Sequence, residues 1–107
     1  MKRRILVRPV AARDLDQYTV YIAENSSVRA ALRFHAAVRQ TLRMIAKQPA
    51  MGVVRPLRNP FLAGVRMCVV KGFPSHLVFY RMAPNAVEIL RIVHGARDLE
   101  ALIVTDD

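Results

Sequence analysis

Residues 88–99 read Glu-Ile-Leu-Arg-Ile-Val-His-Gly-Ala-Arg-Asp-Leu, and this stretch decides how the chain is expected to fold. The run from Val87 to Val93 is rich in Val, Ile and Leu, which predicts a β-strand. Gly95 can adopt backbone angles that other residues avoid, so we expect a sharp turn just after that strand. Three polar side chains would then gather where the strand gives way to a loop. They are His94, Arg97 and Asp98.

The N-terminal part of the sequence predicts one strand and one helix. A short strand is expected over Lys2 to Arg8, and Pro9 suits the first position of a helix because its ring pre-sets the backbone angle. An apolar stripe at helical spacing should face the core, while Asp14, Gln17 and Glu24 take other faces. Asn25-Ser26-Ser27 should end this helix, and either serine can cap the next one. The apolar stripe comprises Ala11, Leu15, Tyr18 and Ile22.

The stretch from Val28 to about Lys47 has the clearest helical pattern. Its apolar residues fall within one arc at roughly 100° per residue, and its cations cluster on the opposite side. Pro49 should end the helix. The apolar arc comprises Ala31, Phe34, Val38, Leu42 and Ile45, and the basic face comprises Arg29, Arg33, Arg39, Arg43 and Lys47.

The remaining sequence predicts a loop and a strand meander. Glycine and prolines mark a loop over residues 50–60, with a short edge strand around Val53-Val54. Short turns over 71–74 and 83–85 suit antiparallel hairpins. The order strand, two helices, then strands predicts one α+β domain over 1–107, with two layers and both helices on one sheet face. The meander strands are expected at about Gly64 to Val70, Ser75 to Met82 and Ala86 to Val93.

Charge is distributed unevenly along the chain. The formal net charge is +9, and the interval between Glu24 and Glu88 contains ten Lys or Arg but no acidic residue. Such a surface attracts polyanions or an acidic protein partner. No apolar run approaches the ~18–20 residues that span a bilayer, and the apolar stretch before Arg8 is too short for a signal peptide. We therefore expect a cytoplasmic protein without membrane association, and the lone Cys68 fits a reducing compartment.

Several kinds of chemistry lack their sequence patterns. The three histidines and Cys68 have no paired metal-ligand spacing, so no metal site is predicted. No serine lies in a nucleophile-elbow context, and no glycine-rich loop precedes a Lys-Ser or Lys-Thr pair. We accordingly predict no cofactor. The histidines are His35, His76 and His94.

Several segments, in order over nearly the full length, resemble the ParE branch of the RelE/ParE toxin superfamily. The first segment, residues 7–15, looks like the family's first strand running into its first helix. Residues 48–52 resemble the loop after the second helix, and residues 64–66, 76–81 and 89–98 follow in the family's order. The resemblance implies the two-layer RelE/ParE-like fold.

The resemblance also implies a function. A ParE-like protein is the toxin of a type II toxin–antitoxin module, inhibits DNA gyrase, and is neutralised by a ParD-like antitoxin with an acidic segment. This is a binding function, with no catalytic residues and no sequence-specific DNA binding by the chain alone. We expect the acidic segment to dock on the basic face of the second helix and the loop that follows it. The predicted docking residues are Arg29, Arg33, Arg39, Arg43, Lys47, Arg55 and Arg58.

Two alternatives stay open at this point. The first is a RelE-like, ribosome-dependent endoribonuclease, which would need cations and an acid or base around the reacting phosphate. The family's nucleases commonly add a C-terminal aromatic residue, and none follows His94 here. In a regular strand Arg91 and His94 would also point to opposite faces, and a structural role for His94 is favoured. The second alternative is a non-toxic homologue that only binds antitoxin. The candidate nuclease residues are Arg66, Arg81, Arg91 and His94.

Overall fold

The computed structural model describes residues 3–95, which form an α+β fold of two helices and one five-stranded mixed sheet. Single 3₁₀ turns at Pro49–Met51 and Pro60–Leu62 shape the segment between the second helix and the meander. The elements are β1 (Arg4–Val7), α1 (Pro9–Asn25), α2 (Val28–Lys47), β2 (Val53–Val54), β3 (Arg66–Val70), β4 (Phe73–Ala83) and β5 (Ala86–His94).

The strand order in the sheet is β1-β5-β4-β3-β2. Strands β2 to β5 form the predicted antiparallel meander. The first strand instead pairs in parallel with the last, from Arg4 opposite Ala86 to Val7 opposite Ile89. A parallel pair needs a long crossover, and the α1–α2 hairpin provides part of it. The start and the end of the described chain thus meet at one side of the sheet.

Both helices begin where the sequence predicts. Pro9 is the first residue of α1, and α2 spans Val28–Lys47. The side chain of Ser27 accepts a hydrogen bond from the backbone N–H of Ala30 at 2.9 Å, so this serine is the cap. Such a cap satisfies one of the backbone donors left unpaired at a helix start.

The strand limits differ from the prediction by one or two residues. Strand β4 begins at Phe73 because the turn before it is only two residues long and uses Gly72 at a φ of 83°. The predicted four-residue turn over 71–74 was therefore too long. Strand β3 begins at Arg66, after Gly64 has turned the chain with a φ of 81°. Positive φ at both positions explains why glycine occupies them.

The core lies between the helix pair and the sheet. Phe34, Val38 and Ile45 are fully buried there, as predicted, against strand residues that include Val78 and Ile89. Leu15 and Ile22 are only half-buried at the edge of this core. A second, smaller apolar cluster covers the other sheet face, where the loop before β3 packs on it. Its buried members are Leu62, Val65, Phe79, Leu90 and Val93.

Candidate functional site

The four residues predicted for a nuclease centre lie in separate surroundings. Arg66 is the cross-strand partner of Tyr80, so it lies on the helix side of the sheet, where Tyr80 belongs to the core. Arg81 follows Tyr80 in the strand and therefore points to the opposite face. Its guanidinium is held there by Glu88, with Nε donating to Oε1 at 2.9 Å, and by the carbonyl of Phe61 at 3.0 Å. These two arginines cannot act on one phosphate group.

The side chain of Arg66 is hydrogen-bonded to the loop after α2. One of its guanidinium nitrogens donates to the carbonyl oxygens of Ala50 at 3.2 Å and Gly52 at 2.7 Å. Tyr80 supports the same loop, because its hydroxyl donates to the carbonyl of Pro49 at 2.8 Å and accepts from the N–H of Gly52 at 2.8 Å. Burial raises the pKa of Tyr80, and its ring is fully enclosed. Tyr80 is thus a core residue rather than a platform for stacking RNA bases.

Arg91 forms an ion pair with Asp14 of α1. Its Nε donates to one carboxylate oxygen at 2.8 Å and its second guanidinium nitrogen to the other at 2.9 Å. The side chains of Arg91 and Asp14 are only 12% and 9% exposed. The sequence assignment of Asp14 to a face away from the core was wrong, because the carboxylate is buried by its contact with β5.

Asp14 and Tyr18 form hydrogen bonds with the backbone edge of β5 in the part that extends beyond the end of β1. Strand β1 ends at Val7, opposite Ile89, and leaves the next backbone groups of β5 without a strand neighbour. The carboxylate of Asp14 accepts the N–H of Ile92 at 3.0 Å, and the hydroxyl of Tyr18 accepts the N–H of His94 at 3.0 Å. Residues four apart share one face of a helix, and alternate strand residues share one edge. Helix α1 therefore replaces a strand at this edge.

Strand β5 has a one-residue bulge just before Arg91. Phe79 pairs with Arg91 and Tyr80 pairs with Ile89, so Leu90 is an extra residue in β5. From Arg91, opposite Phe79, to His94, opposite His76, the register is regular, so the backbone directs these two side chains to opposite faces, as the sequence predicts. Both nevertheless contact α1, because this helix lies along the edge of β5, and they contact different residues of it, namely Asp14 and Tyr18.

His94 lies at the mouth of a cavity of about 460 Å³ between α1 and the end of the sheet. Its ring is exposed, and its centre lies 4.8 Å from the ring centre of His76 on β4. Burial lowers the pKa of His76, and the neighbouring His94 lowers it further. As predicted, Gly95 turns the chain just after β5, with a φ of 76°. The cavity is lined by Gln17, Tyr18, Tyr21, Ile22, His76 and His94.

The predicted docking residues fall into two groups. The five cations of α2 are all exposed on the side opposite the buried arc of that helix. Arg55 is half-buried and Arg58 is exposed, and they flank Leu57, which packs on the apolar cluster of the far sheet face. The α2 cations therefore form one continuous basic face, whereas Arg55 and Arg58 belong to another layer of the fold.

Sequence reasoning missed Asp14 and His76 as interacting residues. Asp14 lies three residues after Ala11 and four before Tyr18, so helical spacing alone places it on the inward stripe. No comparable local signal marks His76, because its neighbour His94 is reached only through strand pairing. Arg97 and Asp98, the other members of the predicted C-terminal cluster, lie outside the described residues.

Within residues 3–95 no group of three or more His, Cys, Asp or Glu side chains is placed to hold a metal ion. None of the helices in that range is long and apolar enough to cross a bilayer.

Comparison with known proteins gives one family match. The family model described as the ParE toxin of the type II toxin–antitoxin system, parDE, matches residues 5–99. No curated protein sequence matches the chain.

Three solved structures are similar in fold. The chromosomal ParDE toxin–antitoxin system from P. aeruginosa has a TM-score of 0.73 at 20% identity, covering 89% of this chain and 98% of that one. The RelBE2 toxin–antitoxin complex from Mycobacterium tuberculosis gives 0.61 at 24% identity, covering 91% and 95%. The YoeB dimer from Staphylococcus aureus gives 0.59 at 17% identity, covering 90% and 100%.

Proposed function

Because the chain belongs to the ParE toxin family of type II toxin–antitoxin systems, we propose that it inhibits DNA gyrase and is neutralised by a ParD-like antitoxin. The match of the family model over residues 5–99 is the observation that carries this proposal. The structure of the ParDE system from P. aeruginosa, which shares the fold, is consistent with it. The proposed target is a cytoplasmic enzyme, so the toxin would act in the cytoplasm.

The arrangement of the cations supports a binding function over RNA cleavage. Phosphoryl transfer needs positive groups aimed together at the charge that develops in the transition state. Arg66 and Arg81 lie on opposite faces of the sheet, and Arg91 is paired with Asp14. Each is fixed by protein contacts that would have to break before the three could surround one phosphate. Binding to a protein target does not require the three arginines to come together.

The basic face of α2 is the proposed landing surface for the antitoxin. Its five cations lie on exposed helix positions within the part of the sequence that has no carboxylates. An acidic antitoxin segment that folds on binding can lie along such a face and contact several cations at once. Exposed ion pairs contribute only about 0.2–1 kcal/mol each, so we expect affinity to be shared among them. Arg55 and Arg58 would need a separate part of the same segment.

The deciding experiment compares two activities of the purified protein. We expect it to inhibit supercoiling by DNA gyrase and to leave a defined message intact during translation on ribosomes. His94→Gln should remain inhibitory, because it keeps hydrogen-bonding capacity and removes only the titratable ring. An enzyme that used His94 as its acid or base would lose roughly 10²–10⁴-fold in rate. His35→Gln, on α2, is the matched control for the loss of one histidine.

Cleaved message with normal supercoiling would contradict the proposal in favour of a RelE-like nuclease. If the protein neither inhibits supercoiling nor cleaves the message but still binds antitoxin, it is a homologue that has lost its toxicity.

A further inference from the structure

His76 and His94 face each other across the antiparallel pair β4–β5. The backbone N–H of Gly95 donates to the carbonyl of Ser75 at 2.7 Å, so Ser75 and Gly95 form a hydrogen-bonded pair. The neighbouring pair, His76 and His94, is therefore a non-hydrogen-bonded pair. In such pairs the Cα atoms approach to about 4.5 Å and the side chains lie closer together than at other positions. Backbone geometry alone brings these two rings together.

The separation of the rings suits a shared metal ion. Their centres lie 4.8 Å apart, with an angle of 69° between the ring planes. A metal–nitrogen bond of about 2.0–2.1 Å places each imidazole centre ~3 Å from the ion. Two rings bound to one ion at an angle between square and tetrahedral then have centres ~4.5–5 Å apart. The observed distance falls in this interval.

Neighbouring aromatic rings hold His76 in position. Its ring centre lies 5.2 Å from that of Tyr18, 4.7 Å from that of Phe34 and 6.4 Å from that of Phe73. The backbone of His94 is fixed by its hydrogen bond to the hydroxyl of Tyr18. A site whose ligands are already oriented loses little freedom when an ion binds.

The surroundings also fit a cation. The cavity beside the two rings has a volume of about 460 Å³, and no Lys or Arg among residues 3–95 lines it. Metal binding requires neutral imidazole, and burial lowers the pKa of His76, which favours that form. Gln17 and Tyr18, whose side chains carry oxygen atoms, belong to the same lining. Among the described residues, a bound ion would therefore meet electron-pair donors and no lysine or arginine in this lining.

We propose that His76 and His94 bind one divalent transition-metal ion, such as Zn²⁺ or Ni²⁺, through one nitrogen of each ring. Imidazole is a preferred ligand for these ions. Within residues 3–95 no third His, Cys, Asp or Glu joins the pair, so the site is an open one. Its remaining coordination positions face the cavity and are filled by water or by a carboxylate or imidazole of another molecule. The ion joins the first half of β4 to the end of β5.

The experiment is calorimetric titration of the purified full chain, without an affinity tag, with ZnCl₂ and separately with NiCl₂. We expect one ion per chain for the parent protein and for His35→Gln, whose histidine lies on α2 and is not among the residues that line the cavity. His76→Gln and His94→Gln should each weaken binding by more than the roughly 10–100-fold that losing a mere supporting partner of a metal ligand costs. His94 is exposed, so its replacement should leave the thermal midpoint in EDTA unchanged.

Electron paramagnetic resonance of the Cu²⁺-loaded protein supplies a second readout. We expect hyperfine coupling to two imidazole nitrogens in the parent and to one in His94→Gln. Absence of saturable binding by the parent, full affinity in His94→Gln, or loss of affinity in His35→Gln would each overturn the proposal. Neither readout depends on gyrase or antitoxin. The metal site can therefore be refuted while gyrase inhibition is confirmed, and gyrase inhibition can be refuted while the metal site is confirmed.

Discussion

At the scale of single residues, the carboxylate of Asp14 binds both a side chain and the backbone of β5. It pairs with both donor nitrogens of Arg91 and also accepts the N–H of Ile92, although its side chain is only 9% exposed. Charge-assisted bonds of this bidentate kind are shorter and stronger than neutral ones. The same carboxylate thus joins α1 to β5 through both a side chain and the backbone.

Asp14→Asn should destabilise the protein substantially. The amide keeps the shape of the side chain but removes the negative charge that balances Arg91 inside the fold. Removing one partner of a buried ion pair typically costs about 3–5 kcal/mol. Urea unfolding measures the change, with Asp16→Asn as the control, because Asp16 is exposed on the same helix. Equal free energies of unfolding for the two variants would mean that the Asp14 pair contributes nothing.

Phe34→Ala tests the core between the helices and the sheet. The ring is fully buried against Phe73 and His76, so its removal should leave a cavity and cost about 3–5 kcal/mol. That loss is a large share of the 5–15 kcal/mol that typically stabilises a domain. Leu32→Ala is the control, because Leu32 lies on the same helix and is 65% exposed. A melting temperature for Phe34→Ala within a degree or two of the parent would contradict this packing.

The sequence identified Phe34 but not the partners of Asp14 and His76, and the reason is physical. Periodicity shows which face of an element is apolar, and Phe34 needs nothing more to be placed in the core. The environment of Asp14 depends on Arg91, and that of His76 on His94, both far away along the chain. The first pair is set by the packing of α1 on β5 and the second by the pairing of β4 with β5, which local patterns do not encode.

At the scale of elements, α2 has two chemically different sides. One side is buried in the core, and the other carries exposed cations, most of them four residues apart. Like charges one turn apart destabilise a helix by about 0.2–0.5 kcal/mol per pair. Burial of the apolar side exceeds this cost easily, so the basic face is compatible with a stable helix.

Reversal of Arg39 and Arg43 to Glu should slow association with a ParD-like antitoxin. Surface charges mainly change the rate of association, so we expect a lower rate constant at low salt and a weaker dependence on ionic strength. Stopped-flow mixing over a series of salt concentrations measures both. The double variant Arg4→Glu, Lys71→Glu has the same net charge and alters exposed positions that are not part of the basic face of α2. Equal slowing in both double variants would show that only the net charge matters.

The elements themselves were predictable to different degrees. Both helices were predicted, because periodicity, Pro9, Ser27 and Pro49 mark them locally, and the edge strand β2 was predicted as well. The bulge at Leu90 and the parallel pairing of β1 with β5 were not predicted. Both depend on which strands become neighbours, and no residue of one strand specifies its register with another.

At the scale of the whole molecule, acid should destabilise the fold through His76. Burial lowers the pKa of His76 in the folded state, so the unfolded chain binds its proton at a higher pH than the folded one does. The contribution of His76 to stability is therefore complete above the ordinary histidine pKa of about 6.5 and is lost as the pH falls through the lowered value.

Unfolding free energies of the parent and of His76→Gln, measured between pH 7.5 and 5 in EDTA, test this expectation. The parent should lose more stability than the variant over this interval, because carboxylate effects are common to both and cancel in the difference. Parallel pH profiles would show that His76 titrates alike in the folded and unfolded chain.

The pairing of β1 with β5 also has a consequence for biosynthesis. Residues 4–7 are made early, but their strand partner, residues 86–89, appears only near the end of the described chain. Until then, the nascent polypeptide exposes the first strand, and α1 carries a carboxylate whose arginine has not yet been made. Contacts of such long sequence separation form late and slow the overall folding. A ribosome that stops before codon 86 would therefore leave a fragment that cannot complete its sheet.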